Sequence, residues 1–444
     1  MPDQPWAAPS AAKPVNAVIT LPGSKSITNR ALVLAALADG TGVIKRPLRA
    51  RDTTLMAAAL TALGTRIDEQ QGHPGRTEDA AWVVTPGVSR GRNGAVRGGA
   101  AAVDVGNAGT VLRFLPPVAA LTDRDTAFDG DPRARERPVG ELLAALRELG
   151  AVIDDGGRAC LPFTVHGTGA VTGGRVTLDA SSSSQLVSAL LLVGARFLKG
   201  VEIRHQGPPV PSAPHIAMTI GMLRDAGVHA EAAAADVWRV HPGPLRARTV
   251  DVEPDLSNAA PFLAAALVTG GTVTIPGWPT RTWQPGDQLR DLLARMGGSC
   301  DITVGGLTVR GGGVIHGLTA DLRDVSELAP VLAALAALAS SPSRLVGIAH
   351  MRAHETDRLA ALATQINALG GRVSELPDGI AITPRPLSAG EGGVFSTYDD
   401  HRLVMAAAVL GLAVPGLRVE NAATVAKTLP EFTRLWTAML ESAP

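Results

Sequence analysis

The sequence predicts an α/β protein of two domains, each built from three repeated units around buried helices. Three observations carry this. At 444 residues the chain is too long for one hydrophobic core, which stops growing at roughly 250–300 residues. A helix-forming segment with a small polar opening recurs six times. Each of the six is apolar nearly all round, and such a helix belongs in the middle of a domain. Three units per domain is the natural partition, with a unit of about 75 residues of mixed α/β.

In chain order, the six segments open at Ser24, Asn107, Ser182, Leu256, Ser326 and Asp400, spaced 83, 75, 74, 70 and 74 residues apart. Each is followed by a more amphipathic helix, expected over Arg51–Gly64, Arg137–Gly150, Ala213–Gly227, Asp287–Gly298, Glu355–Gly371 and Leu429–Leu440. Most of these second helices stop on Leu-Gly, Ala-Gly or Met-Gly, with glycine just past the helix end. Strand-like runs fill the gaps at Val15–Leu21, Val176–Leu178, Val201–Arg204, Thr272–Ile275 and Leu307–Val309.

Composition narrows the function classes. Hydrophobic residues make up 45% and charged residues 18%, a globular composition, while aromatics at 3% leave the core to Ala, Leu and Val. Basic and acidic residues balance at 41 each, which argues against a wholly basic nucleic-acid-binding surface or a polybasic membrane anchor. The two cysteines, Cys160 and Cys300, form neither a zinc pattern nor a disulfide framework. The N-terminus lacks a basic stretch followed by an apolar one, and apolar runs such as Val331–Ala339 are about half a bilayer span. A cytoplasmic protein is expected. Only five of the 41 cations are lysines, so a lysine inside a motif draws notice.

The polar openings are where chemistry is expected. Backbone N–H groups at a helix N-terminus are unpaired and partly positive, ready for anions. Several such ends suit phosphorylated, carboxylated small molecules. LPGSKSITNRAL places Lys25, Ser26 and Arg30 near a first turn, without the glycine spacing of a P-loop. VGNAGT offers Asn107, Gly109 and Thr110, small residues where backbone can approach a ligand. In DPRARERP, Arg133, Arg135 and Arg137 precede an amphipathic helix, and Arg135 reads as a solvated charge. DASSSSQ supplies more hydroxyls than one cap needs, among them Ser183 and Ser184, beside Gln185. AHMRAHETDRL holds His350, His354, Glu355 and Arg358; the two histidines are at i, i+4, but no third ligand is evident and the pattern is not HExxH. YDDHR and TVAKTLPEF add Arg402 and Lys427.

The set PGSKSITNR, GNAGT, DPRARERP, SSSQ, HETDRL, DDHR and AKTLPEF resembles the 5-enolpyruvylshikimate-3-phosphate (EPSP) synthase family, from about Val15 to Phe432 and in family order. The resemblance implies transfer of the enolpyruvyl group of phosphoenolpyruvate to the 5-hydroxyl of shikimate 3-phosphate. It implies the two-domain enolpyruvyl transferase fold, three βαβαββ-type units per domain. Residues 1–23 plus 254–444 would form one domain and 24–253 the other, with the active site in the cleft between them. Lys25, Ser26 and Arg30 match contacts to both substrates. Gly109, in the GNAGT motif with Asn107 and Thr110, and Arg133, in DPRARERP, match phosphoenolpyruvate contacts. Ser183, Ser184, Gln185 and Ser212 match shikimate 3-phosphate contacts. Arg358, Arg402 and Lys427 match cations around phosphoenolpyruvate. A monomer, inhibition by glyphosate, and no metal or organic cofactor are further expectations.

Three positions depart from the family pattern. His354 stands where a lysine contacting shikimate 3-phosphate is usual, His215 replaces a common tyrosine, and Glu327 occupies the place of the catalytic aspartate. Glu327 is the expected base on the 5-hydroxyl, and Glu355 or Lys25 the expected proton donor to the methylene carbon. The rival within the fold is UDP-N-acetylglucosamine enolpyruvyl transferase, which typically carries a cysteine in the loop matching Gly130–Arg137; here that loop has none. A metal hydrolase using His350 and His354, and an inactive binding scaffold, are the rivals outside it.

Overall fold

The computed structural model describes residues 4–70, 80–87 and 99–442. The chain divides into two compact units, one of Met1–Pro22 with Glu253–Pro444 and one of Gly23–Val252. Each has its own cluster of buried apolar residues. We call them the discontinuous and the continuous unit.

The continuous unit contains helices α1 (Lys25–Ala36), α2 (Arg51–Ala62), α3 (Gly109–Ala120), α4 (Gly140–Glu148), α5 (Ser184–Gly194) and α6 (Pro214–Asp225). Every residue of α3 is buried, as is all of α5 except Gln185. The apolar helices α1, α3 and α5 pack on one another, as an all-round apolar surface requires. The amphipathic α2 stops at Leu63-Gly64, where Gly64 takes a φ of 104°, closed to residues with a Cβ.

Each repeat adds a four-stranded sheet of one topology. In the second repeat, Ala101–Asp104 runs parallel to Asp125–Asp129. That strand pairs antiparallel with Phe163–His166, which closes a hairpin with Val152–Asp154. Alternation turns Val103, Phe128, Phe163 and Val165 inward, and Phe128 stacks on Phe163 with centroids 5.0 Å apart.

The discontinuous unit repeats the plan with α7 (Ala260–Thr269), α8 (Leu289–Arg295), α9 (Ala329–Ala337), α10 (Arg358–Ala368), α11 (His401–Gly411) and α12 (Phe432–Glu441). Helices α7, α9 and α11 pack together at its centre. Its last sheet is reduced to Trp6–Ala7, Arg418–Val419 and Val394–Phe395. After α11 the chain turns into α12, which buries Phe432, Trp436 and Met439.

Two strands are exchanged. Asn16–Val18 precedes α1 in sequence but pairs parallel with Thr272–Pro276 of the discontinuous unit. Thr249–Asp251 precedes α7 but pairs parallel with Gly42–Lys45 of the continuous unit. Pairing partner, not chain order, decides which unit each strand completes. Among the described residues no helix is long and apolar enough to cross a membrane.

Candidate active site

In the continuous unit the starts of α1, α3 and α5 are tied by buried polar contacts. Asn29 Nδ2 donates to Thr110 Oγ1 at 2.7 Å, joining α1 to α3. Arg113 NH1 donates to Gln185 Oε1 at 3.0 Å, joining α3 to α5. Arg30, only 1% exposed, joins α1 to α6 and α5: its Nε donates to Thr219 Oγ1 at 2.8 Å, its NH2 to the His215 carbonyl at 3.3 Å and to Ser188 Oγ at 3.4 Å. Its NH1 donates to the Ser26 carbonyl at 3.1 Å, and the guanidinium lies over the Phe114 ring. Burial pushes Arg30 down to about 9, which leaves it protonated at neutral pH.

Gly109 sits at the centre of this group. A Cβ there would stand 2.6 Å from Arg137 NH2, 2.9 Å from Arg113 NH1 and 3.1 Å from Gln185 Oε1. Two buried guanidiniums therefore flank a glycine at a helix start. Burial, then the neighbouring Arg137, pushes Arg113 down to about 9. Arg137 also donates to the Asn107 carbonyl at 2.9 Å. Such a concentration of positive charge and N–H donors is built for an anion.

Other expected residues lie around this group. Lys25 pairs at 3.1 Å with Asp52, a buried carboxylate in the first turn of α2. Ser183 caps α5, its Oγ accepting from Gln185 N at 3.2 Å, and Ser184 is buried behind it. Ser212 stands just ahead of α6 with a φ of 52°. Arg133 lies on a short 3-10 turn, Pro132–Glu136, and pairs with Glu136. The guanidinium at Gly109 is instead that of Arg137. Arg135 is exposed and pairs with Asp129 at 2.7 Å.

In the discontinuous unit the focus is Glu355, its side chain 10% exposed. Oε1 accepts from Lys427 Nζ at 2.7 Å, and Oε2 accepts from Arg358 NH2. His401 Nδ1 stands 3.5 Å from the same Oε2. Arg358 makes a two-point contact with the fully buried Asp400, Nε to Oδ2 at 2.7 Å and NH2 to Oδ1 at 3.1 Å. Burial works against the Arg358 charge, but Asp400 and Glu355 outweigh it and hold the group above its ordinary value. Asp400 also caps α11, accepting from Arg402 N at 2.8 Å. Tyr398 and Asp399, both at positive φ (51° and 58°), bend the chain into that cap.

Ser257 links two more expected residues. Its hydroxyl donates to Glu327 Oε1 at 3.3 Å and its carbonyl accepts from Arg402 NH1 at 3.1 Å. Burial pushes buried Arg402 down, partly offset by Asp255. His354 Nδ1 stands 3.2 Å from Arg358 NH1. His350 meets His354 edge to face at 5.5 Å, and burial, then Arg358, pushes it down to about 4. Among the described residues no third potential ligand groups with these two histidines. Glu355, Asp400 and His401 do cluster, but Lys427 and Arg358 already compensate their charge.

Arg113, Asp52, Ser257 and Asp400 are site groups that the sequence motifs do not single out. One signal was available: Arg113 is a lone charge inside the apolar run TVLRFL.

A fold of two units, each with three buried helices at its centre, is that of the enolpyruvyl transferases. It matches the enolpyruvyl transferase NikO from Streptomyces tendae at a TM-score of 0.73 and 18% identity, covering 99% of this chain and 98% of that one. It matches EPSP synthase from Acinetobacter baumannii at a TM-score of 0.77 and 24% identity, covering 98% of each chain. These two show the fold. The EPSP synthase (3-phosphoshikimate 1-carboxyvinyltransferase) family model matches residues 9–436. A 3-phosphoshikimate 1-carboxyvinyltransferase from Kocuria rhizophila is 51% identical, over 99% of this chain and 97% of its own. The chain belongs to the EPSP synthase family.

Proposed function

We propose that this protein transfers the enolpyruvyl group of phosphoenolpyruvate to the 5-hydroxyl of shikimate 3-phosphate and releases phosphate. The observation that carries the reading is the Glu355 carboxylate held between Lys427 and Arg358, in a chain of this family. Phosphoenolpyruvate brings a phosphate and a carboxylate. Arg113 and Arg137 beside Gly109, with Arg133, offer cations from the continuous unit, and Arg358, Arg402 and Lys427 from the discontinuous one. Ser183, Ser184, Gln185 and Ser212 supply hydroxyl and amide partners for the sugar phosphate. Lys25 adds a cation held in place by Asp52, and Arg30 positions the first turn of α1.

In the addition, Glu327 takes the proton of the 5-hydroxyl. The freed oxygen bonds to C2 of phosphoenolpyruvate, and C3 receives a proton from the Glu355–Lys427 pair. In the elimination, the bond from C2 to the phosphate oxygen breaks and the methyl group returns a proton to the same pair. The double bond re-forms, and phosphate leaves with the proton held on Glu327. A carboxylate at 2.7 Å from an ammonium suits this exchange, because a proton can pass between the two groups along one hydrogen bond. No metal or organic cofactor enters these steps. We place the enzyme in the cytoplasm as a monomer that glyphosate inhibits.

The test is phosphate release from phosphoenolpyruvate by the purified chain, with shikimate 3-phosphate or UDP-N-acetylglucosamine as acceptor. Release with the first alone supports the reading. Release only with the second, or with neither, overturns it.

A further inference from the structure

The third sheet of the continuous unit carries a group of side chains that the reaction does not use. Its hairpin pairs Ala230–Ala234 with Val237–Val240, with Ala230 opposite Val240 and Glu231 opposite Arg239. One step beyond, His241 N donates to the His229 carbonyl at 2.9 Å, so these two histidines are opposed as well. Side chains alternate along a strand, and opposed residues share a face. His229, His241 and Glu231 therefore project from one face at the open end of the hairpin.

The two imidazoles lie parallel, 6° between planes and 4.3 Å between centroids. Glu231 Oε1 is 3.9 Å from His241 Nε2, a buried nitrogen without a hydrogen-bond partner. One ligand atom from each of the three residues falls within 4.8 Å of the other two. A tetrahedral ion with bonds of about 2.0–2.1 Å needs a tighter set. Rotation of these partly exposed side chains about their χ angles supplies the difference.

Arg239 is the obvious competitor for Glu231, and its main partner lies elsewhere. It reaches Glu202 through NH2 at 2.6 Å and Nε at 3.1 Å, but Glu231 only through NH1 at 3.3 Å. Arg239, with Arg204 and Arg175, holds the Glu202 carboxyl down at about 2, so that anchor persists across the neutral range. Releasing Glu231 gives up one long contact. The three guanidiniums also repel a cation, which sets the affinity below that of a buried structural site.

We propose that His229, His241 and Glu231 form a surface site for a borderline divalent transition-metal ion, such as zinc, that clasps the open end of this hairpin. Two imidazoles and one carboxylate are a donor set for zinc or copper and a poor one for magnesium or calcium. Water would complete the coordination.

The test uses the full chain, stripped with a chelator and dialysed against zinc chloride alone at pH 7.5. One zinc per chain is expected. His229→Ala and His241→Gln should each weaken binding at least tenfold, while His350→Ala leaves it unchanged. Cobalt, read by its visible absorption, should give the bands of a four- or five-coordinate site that vanish in both hairpin variants. Circular dichroism confirms that the variants fold. Absence of stoichiometric zinc on the wild-type chain overturns the proposal. So does equal binding by the double variant, or loss of binding in His350→Ala.

Discussion

At the scale of single residues, the proposed chemistry rests on Glu355 and Gly109 in different ways. Glu355 is clamped by Lys427 and Arg358, so its position is fixed by charge as well as by packing. Glu355→Gln keeps the shape but cannot exchange a proton. We expect kcat to fall by about 10²–10⁴-fold, the usual contribution of one acid–base group, with phosphoenolpyruvate affinity changed far less. Wild-type kcat in steady-state assays of this variant would remove Glu355 from the chemistry. Gly109 acts by what it lacks. The three atoms nearest a methyl group there would be the ends of flexible side chains, Arg137 NH2, Arg113 NH1 and Gln185 Oε1. Gly109→Ala should therefore fold normally while displacing the two guanidiniums. Glyphosate should compete with phosphoenolpyruvate in the wild-type chain, and the variant should show a raised inhibition constant and a raised KM for phosphoenolpyruvate. An unchanged inhibition constant would mean that neither ligand approaches Gly109. Much of this scale was legible in the sequence, because the motif residues sit at helix starts. Arg113 with Gln185, Lys25 with Asp52 and Glu327 with Ser257 were not. Those contacts join residues 72, 27 and 70 positions apart, and no local periodicity encodes them.

At the scale of elements, the helices were far more legible than the strands. All twelve α-helices among the described residues lie where apolar periodicity and glycine stops place them, since burial of a whole helix leaves a pattern over many residues. The strands are two to six residues long, too short to show alternation, and only five were read in advance. The reduced sheet of Trp6–Ala7, Val394–Phe395 and Arg418–Val419 had no signal, since each strand offers two residues. The start of α11 shows how one residue serves both element and site. Asp400 caps the helix through Arg402 N and holds Arg358 at two points while fully buried. Removing a carboxylate from a buried pair leaves an uncompensated charge, which is strongly destabilising. We expect Asp400→Ala to lower the unfolding free energy by about 3 kcal/mol in urea titrations, within the range for such pairs and tempered by the remaining Glu355 contact. Asp400→Asn, which keeps a capping oxygen, should lose less. A loss under about 0.5 kcal/mol for Asp400→Ala would show that Glu355 alone satisfies Arg358.

At the scale of the whole molecule, the chain passes between its two units only twice, at Pro22–Gly23 and at Val252–Glu253. Each unit has its own buried core. The proposed substrate groups are divided between the units. Lys25, Arg113, Arg137 and Gln185 belong to one, and Glu327, Glu355, Arg358, Arg402 and Lys427 to the other. Neither holds a complete set. Arg30 and Arg113 are buried cations bonded to neutral groups in the continuous unit, whereas Arg358 and Lys427 are balanced by Asp400 and Glu355 in the other. We expect a sugar phosphate to bind first at these helix starts, where N–H donors and guanidiniums suit an anion. If, as we propose, the bound substrate also meets groups of the discontinuous unit, it can shift the population only by binding one arrangement better than the other. An arrangement that brings both sets onto one substrate also assembles the cations that phosphoenolpyruvate needs. Linkage then requires the two ligands to favour each other's binding equally. We therefore expect shikimate 3-phosphate to reduce the radius of gyration in solution scattering and to tighten glyphosate binding by about 5–150-fold in calorimetry, the usual span of such coupling. Glyphosate should tighten shikimate 3-phosphate by the same factor. An unchanged radius of gyration with independent binding of the two ligands would refute the clamp and leave the enolpyruvyl transfer itself standing.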